Sequence, residues 1–437
     1  MPYVLGVDVG TTRTAAAICR LTRVGRPEVE VVGLGGPGGG VASSLQLTAD
    51  GAFGVGEPGD PLNTATGFSR RIGDEVPILL GQEWVNPEDL TALMVMWVAD
   101  QVAEREGGRA THIAVTHPAD WGPHRKGLLH HALRQVGIER ATLVAEPVAA
   151  AENHVAAGGT GDVLAVFSMG SHAYSSSVVR RTANMSLDLI GTNEGHDHPA
   201  GVDFDDAVLG YVRSEVRELA GLDATDPRTG QLMARLRFDC EAAKRGLSGA
   251  PEVVVPIHLS EGITEVRITR PRFEDLIRPS IELAVDTLVR TTVAHGVPEA
   301  VLLVGGSARI PLVAEVVSTA LRGRIAIEAA PEASVVKGAA LAARRVVEGP
   351  DAEPEPRETS VLRRFDDPSL RFPVGELGLS DDEFTAPPPR PPVDISRLDL
   401  PERRSVKRVV RSLKPANAGK PRRGNHSADD DDDEDGR

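Results

Sequence analysis

Three short stretches of this chain carry residue types suited to handling a phosphorylated ligand. Asp8-Val9-Gly10-Thr11-Thr12 puts a carboxylate at the end of an apolar run and follows it with a tight turn bearing two hydroxyls. Such a turn can aim backbone N–H groups at a phosphate while the aspartate holds a hydrated cation. It fits equally an Asp-capped hairpin turn with no ligand. Val304-Gly305-Gly306-Ser307-Ala308-Arg309-Ile310-Pro311 runs from apolar residues into two glycines, which let backbone approach a ligand, and on to a proline suited to a helix's first turn. Alone, that is also any strand-to-helix connection. Glu241, Lys244, Arg245 and Ser248 are spaced at i, i+3, i+4 and i+7, so a helix would put all four on one face. The face could grip a sugar hydroxyl or a ring edge, or be a solvated stripe with an intrahelical ion pair. What joins the three is their order and separation along one chain.

The elements that must position them alternate between strand and helix, the pattern of an α/β protein. Val4–Val9 reads as a strand and Thr14–Cys19 as its return, a hairpin around the first turn. A helix is predicted over 87–106 with Asn86 as its cap, then a strand at 113–116, a helix at 125–136 and a strand at 142–144. The second half repeats the order: a strand at 163–167, a return at 175–179, helices at about 203–219 and 231–246, and a late buried strand at 301–304. Two lobes that each open with a hairpin suggest a duplicated fold.

Composition bounds the rest. The 437 residues suffice for two lobes and an extension. Aromatic residues are only 3%, so the core must be built from Val, Ala and Leu. The net charge of -15 argues against a surface that is basic overall, and two cysteines cannot form a disulfide framework or a four-cysteine metal site. With neither a signal-type start nor an apolar run of about 18 residues, the expected setting is reducing and cytoplasmic.

Taken together the motifs resemble the ATPase domain of the DnaK-type heat-shock chaperones, within the actin-like nucleotide-binding superfamily. The resemblance covers roughly residues 1–347. It includes Arg71-Ile72-Gly73-Asp74, His117-Pro118-Ala119-Asp120-Trp121, Glu146-Pro147-Val148-Ala149-Ala150-Ala151, Gly201-Val202-Asp203-Phe204-Asp205 and the run from Pro331 to Ala340. It implies two α/β lobes, 1–160 and 161–349, of the actin-like, ribonuclease H-like fold around a nucleotide cleft, with ATP or ADP and magnesium as cofactors. Gly10, Thr11 and Thr12 would hold phosphates, and Asp8 would organise magnesium through water. Glu241, Lys244, Arg245, Ser248, Gly305, Gly306, Ser307, Arg309, Ile310 and Glu332 would form the adenosine pocket, and Gly170 and Gly201 would also bind the cofactor. Glu146 matches a carboxylate near phosphates and magnesium. Pro118 and the Arg125-Lys126 pair match the element coupling nucleotide state to domain motion.

The pattern breaks at the second phosphate turn. The family reads Asp, then Gly-Gly-Gly-Thr, then a second Asp two residues on. Here Ser168 and Ser175 hold the acidic positions and Ala173 the threonine, and no Asp or Glu lies between Asp162 and Asp188. A lysine near the γ-phosphate is replaced by Ser69, beside Arg70 and Arg71. His172 is either a new functional group in that turn or a surface histidine without a role. A carboxylate that activates the attacking water is worth about 10²- to 10⁴-fold in rate, so hydrolysis should be slow or absent even where nucleotide binds.

Residues 350–437 hold 13 of the 32 prolines, and neither the family's linker nor its peptide-holding β-sandwich is visible in them. A Pro- and acid-rich linker at 350–398 precedes a candidate basic amphipathic helix at 399–414, with Val406, Val409, Val410 and Leu413 on one side. That helix suits an anionic membrane surface, nucleic acid or an acidic groove of a protein partner or client; equally, 399–437 could be a solubilising disordered tail. Residues 415–437 read as a disordered tail, basic and then acidic, and nothing points to sequence-specific nucleic-acid binding. The leading reading is an ATP-binding, chaperone-like conformational switch with weak or absent hydrolysis. A non-catalytic scaffold that binds through the basic helix and a sugar kinase of the same superfamily are the alternatives.

Overall fold

The computed structural model describes residues 1–349 apart from 22–26, 49–50, 57–58, 183–185, 196–199, 224, 260–261 and 322–323. The expectations for 350–398, 399–414 and 415–437 lie outside the described residues. Two mixed sheets carry the fold. In the first, the strands run in the order Ala141–Ala145, Ile113–His117, Tyr3–Val9, Arg13–Arg20 and Val29–Val32. In the second, the order is Arg324–Ile327, Ala300–Val304, Val163–Met169, Tyr174–Arg181 and Leu187–Gly195. Each sheet thus has an antiparallel hairpin and a third strand on one side of its first strand, and two parallel strands on the other. The duplication suggested by the two hairpins holds at the level of topology, and the molecule is the two-lobed α/β fold of the actin-like type.

Helix boundaries follow local chemistry more than periodicity. Helix α1 (Pro87–Glu106) matches its expected span, but Asn86 does not cap it through a backbone N–H; its Nδ2 donates to Asp89 Oδ2 at 3.1 Å. Helix α2 is Pro123–Gln135, two residues earlier than expected because Pro123 starts the first turn. Helix α3 is Glu146–Ala156. Helix α4 covers Gly201–Glu215 and gives way to a 3₁₀ turn at Arg217–Gly221, so the expected single helix to 219 is broken near Val216. Helix α5, Pro227–Leu247, starts four residues earlier than periodicity indicated, where Asp226 accepts from the Arg228 N–H at 2.9 Å. Helices α6 (Arg270–His295), α7 (Pro311–Ala320) and α8 (Ser334–Glu348) complete the set. No helix among the described residues is long and apolar enough to cross a membrane.

The core is as poor in aromatics as composition required, with Tyr3, Phe68, Phe167, Tyr174, Phe204 and Phe273 its largest fully buried side chains. Between the sheets the packing is mostly alanine and valine. Helices α3 and α8, which follow the outermost parallel strand of each sheet, bring Ala149, Ala150, Ala151, Ala339, Ala340 and Ala343 into one buried cluster with Val4, Ala17, Leu164 and Val166. A methyl group added at Gly338 would lie 1.6 Å from the Ala149 carbonyl oxygen, and one at Gly6 would lie 2.4 Å from the Ala340 nitrogen. Backbone meets backbone at both places, so only glycine fits.

This predicts a contrast between two glycines. Gly338→Ala should destabilise the protein by at least about 2 kcal/mol, since an overpacked site bounded by backbone cannot relax through side chains. Gly210→Ala, in the open on α4, should stabilise it by roughly 0.5–1 kcal/mol. Denaturant unfolding of both variants checks the pair.

Candidate functional site

The first turn joins a strand buried against α8 to its hairpin partner. Asp8 stands opposite Ala15, and its Oδ1 accepts from Thr116 Oγ1 at 2.6 Å on the neighbouring parallel strand. That bond fixes the carboxylate at the end of the sheet facing the second lobe. A side chain at Gly10 would put its first carbon 2.8 Å from the Arg13 carbonyl oxygen, which accounts for glycine there. Glu146 opens α3, where a carboxylate suits the helix dipole. Burial, together with the charges of Asp8, Glu194 and Asp120, raises its pKa to about 8. Burial raises Asp8 as well, against the opposing Thr116 hydrogen bond.

The second turn shows where the acidic residues went. Ser168 and Ser175 face one another in register, and Ser175 is in turn opposite Glu194 on the third strand. Paired residues of adjacent antiparallel strands share a sheet face. Glu194 therefore stands on the face that carries the two serines, and its charge is felt at Glu146. The acid-free stretch of sequence ends at Asp188, and the carboxylate enters from beyond it. At the tip of the turn, Ser171 Oγ and Thr12 Oγ1 are in hydrogen-bond contact, and His172 Nδ1 lies 2.9 Å from Ser171 Oγ and 3.5 Å from Thr12 Oγ1. Arg70 Nη1 donates to the His172 carbonyl at 3.2 Å, so an arginine next to the missing lysine does reach this turn.

On the other side of the cleft the second-lobe residues gather around Gly170. Its carbonyl accepts from Ser307 Oγ at 3.0 Å and from the Gly201 N–H at 3.1 Å. Gly305 has φ +92°, and a methyl group there would come 2.5 Å from the Met169 carbonyl, so the positive φ and the close approach both require glycine. Lys244 Nζ donates to Asp205 Oδ2 and to the Gly201 carbonyl, each at 2.7 Å, tying α5 to the start of α4. Glu241 and Arg245 form the intrahelical pair that their spacing allowed. Arg309 holds Glu332 through two bonds, 2.9 and 2.7 Å, while Ile310 is buried in the second-lobe core. Ser248 ends α5, and its carbonyl faces Arg270 Nη2 at 3.5 Å.

Comparison with known proteins settles what kind of domain this is. A family model described as "Hsp70 protein" matches residues 73–354. The chain belongs to the Hsp70 family. It is 27% identical over 367 residues to the chaperone protein DnaK of Elusimicrobium minutum, an alignment covering 78% of this chain and 58% of that one. It is 25% identical over 369 residues to the DnaK proteins of Thermotoga petrophila and Thermotoga maritima, covering 78% of this chain and 59% of each. The chain thus spans less than two thirds of the length of these curated relatives. As in the Hsp70 resemblance, His117 through Trp121 leads into α2: His117 is buried, stacks on Trp121 at 5.7 Å, and is driven by burial to a pKa of about 4, so its ring is neutral. Arg125 pairs with Asp120 at 3.7 Å at the start of that helix.

Asp8, Glu146 and Glu194 form an acidic group of a kind suited to a cation. The mutual repulsion of Asp8, Glu146 and Glu194 is what a divalent cation would relieve. Among the described residues no group of three His, Cys, Asp or Glu side chains is placed to hold an ion directly.

The Glu146 shift has a measurable sign. A carboxyl raised in the folded state favours folding most below the ordinary carboxylate range, and that contribution is lost as pH rises toward about 8. Glu146→Gln should therefore flatten the decline in thermal stability of the nucleotide-free protein between about pH 5 and 8. An unchanged slope would contradict the assignment.

Proposed function

We propose that this Hsp70-family chain binds adenine nucleotide with magnesium in the cleft between its lobes, hydrolyses it slowly or not at all, and responds to it by a change in lobe arrangement. In this reading the backbone N–H groups of Gly10, Thr11 and Thr12 hold phosphate, Asp8 orients water on the cation, and Arg309 with Glu332, Glu241, Lys244, Arg245 and Ser248 flank the adenosine. Bound magnesium would neutralise phosphate charge. The observation that carries the reading is the in-register pairing of Ser168 with Ser175 within an otherwise intact arrangement of turns. Serine cannot accept a proton at neutral pH, so the second turn offers the attacking water no base. Glu194 is a nearby carboxylate outside the family motifs quoted above, and it sits on the third strand rather than in the turn.

Calorimetry should show saturable binding of Mg·ADP, weakened about tenfold, or ~1.4 kcal/mol, by Arg309→Ala. Single-turnover hydrolysis of ATP should run about 10²- to 10⁴-fold below that of an Hsp70 with both carboxylates. Failure to bind either nucleotide at millimolar concentration overturns the binding claim, and ordinary Hsp70 turnover by the pure protein overturns the other.

A further inference from the structure

We propose that residues 399–414 fold back on the first lobe and dock against the outer face of the hairpin formed by Ile78–Leu80 and Glu83–Val85. The proposal is independent of the nucleotide site. The inner face of that hairpin, Ile78, Leu80 and Val85, packs into the first-lobe core. Leu79 and Trp84 pair in register and so share the other face, where they are 50% and 40% exposed. Leu62 and Val76 adjoin them, 76% and 62% exposed. The Gly81 N–H at the hairpin tip donates to the Leu62 carbonyl at 2.7 Å, and Val76 lies just before the first strand. Exposed apolar residues gathered in this way mark an interaction surface.

Its rim is acidic. Asp60 accepts from the Leu62 N–H at 3.1 Å, Asp74 and Glu75 precede Val76, and Glu83 precedes Trp84. From Asp74 to Asp89 the chain has five acids and no Lys, Arg or His. Arg71 pairs with Asp74 at 3.0 Å, which offsets one of them. The surface therefore suits an occupant that is apolar at its centre and basic at its edge. Residues 399–414 meet both requirements: as a helix they align Val406, Val409, Val410 and Leu413 in one stripe, bordered by Arg403, Lys407 and Lys414. Between Arg403 and Arg423 there are nine bases and no acid. The acidic run at 429–435 contains no apolar residue. It can neutralise the far side of such a helix, at Arg404, Arg408 and Arg411, without covering the stripe. Residues 350–398 supply the connection beyond α8: 49 residues have a root-mean-square reach of about 40 Å, against a radius of gyration of about 20 Å for a domain of this size.

The test is limited trypsin cleavage of the full chain, with cuts at the basic residues of 403–414 followed by mass. The wild type should be cut there at least about tenfold more slowly than Leu79→Asp, since cleavage tracks the undocked fraction. That variant changes only the exposed face of the hairpin and leaves the cleaved segment as it is. Val409→Ser/Val410→Ser, which leaves the domain untouched, should uncover Trp84 and strengthen acrylamide quenching of the tryptophan fluorescence. Equal cleavage of wild type and Leu79→Asp, or quenching that the tail variant does not change, overturns the docking. Protection that rises with protein concentration assigns the face to the tail of a second copy and overturns the intramolecular contact. Binding of the wild type to phosphatidylserine vesicles with cleavage indifferent to Leu79→Asp overturns it in favour of a membrane.

Discussion

Helices α3 and α8 follow equivalent strands of the two sheets and cross with their backbones nearly touching, at Gly338 against Ala149. The geometry of the cleft depends on that approach. Helix α8 also lies flush on Tyr3–Val9 at Gly6, so the same crossing fixes the strand that ends in Asp8 and the helix that begins with Glu146. An alanine-rich interface buries little area per residue, about 0.8 kcal/mol for each methyl removed from water. Its value is in proximity: small side chains let two lobes share one core while their turns converge at its edge.

That convergence concentrates negative charge. Asp8 is anchored by Thr116, Glu146 is raised by burial and its acidic neighbours, and Glu194 arrives from the third strand of the second sheet. Such a cluster is unfavourable in the ligand-free fold and becomes favourable when positive charge enters, a common property of sites built to take a cation with an anionic ligand. The loss of two carboxylates from the second turn therefore has not emptied the site of acids.

Much of the fold was legible in the sequence. The two hairpins, the late buried strand and the glycine turns each obey local rules, and their sequence order anticipated the repeated topology. Boundaries were less legible where a cap or proline outranked periodicity, as at Asp226 and Pro123. The third strand of the second sheet was missed because Leu187–Gly195 alternates weakly, and with it went Glu194, whose role follows only from cross-strand register with Ser175. The family's departures at Ser168, Ser175 and Ser69 were visible directly. That Ser171 and His172 meet Thr12, and that Arg70 reaches His172, was not, because those contacts join residues more than a hundred positions apart.

The central claim is that one ligand is held by both lobes at once. Backbone amide hydrogen exchange of the full chain, with and without Mg·ADP, tests it most directly. The account predicts slowed exchange at Gly10, Thr11 and Thr12 in the first lobe together with Gly305 and Gly306 in the second. Slowing confined to one lobe, or absent from both turns, would contradict it.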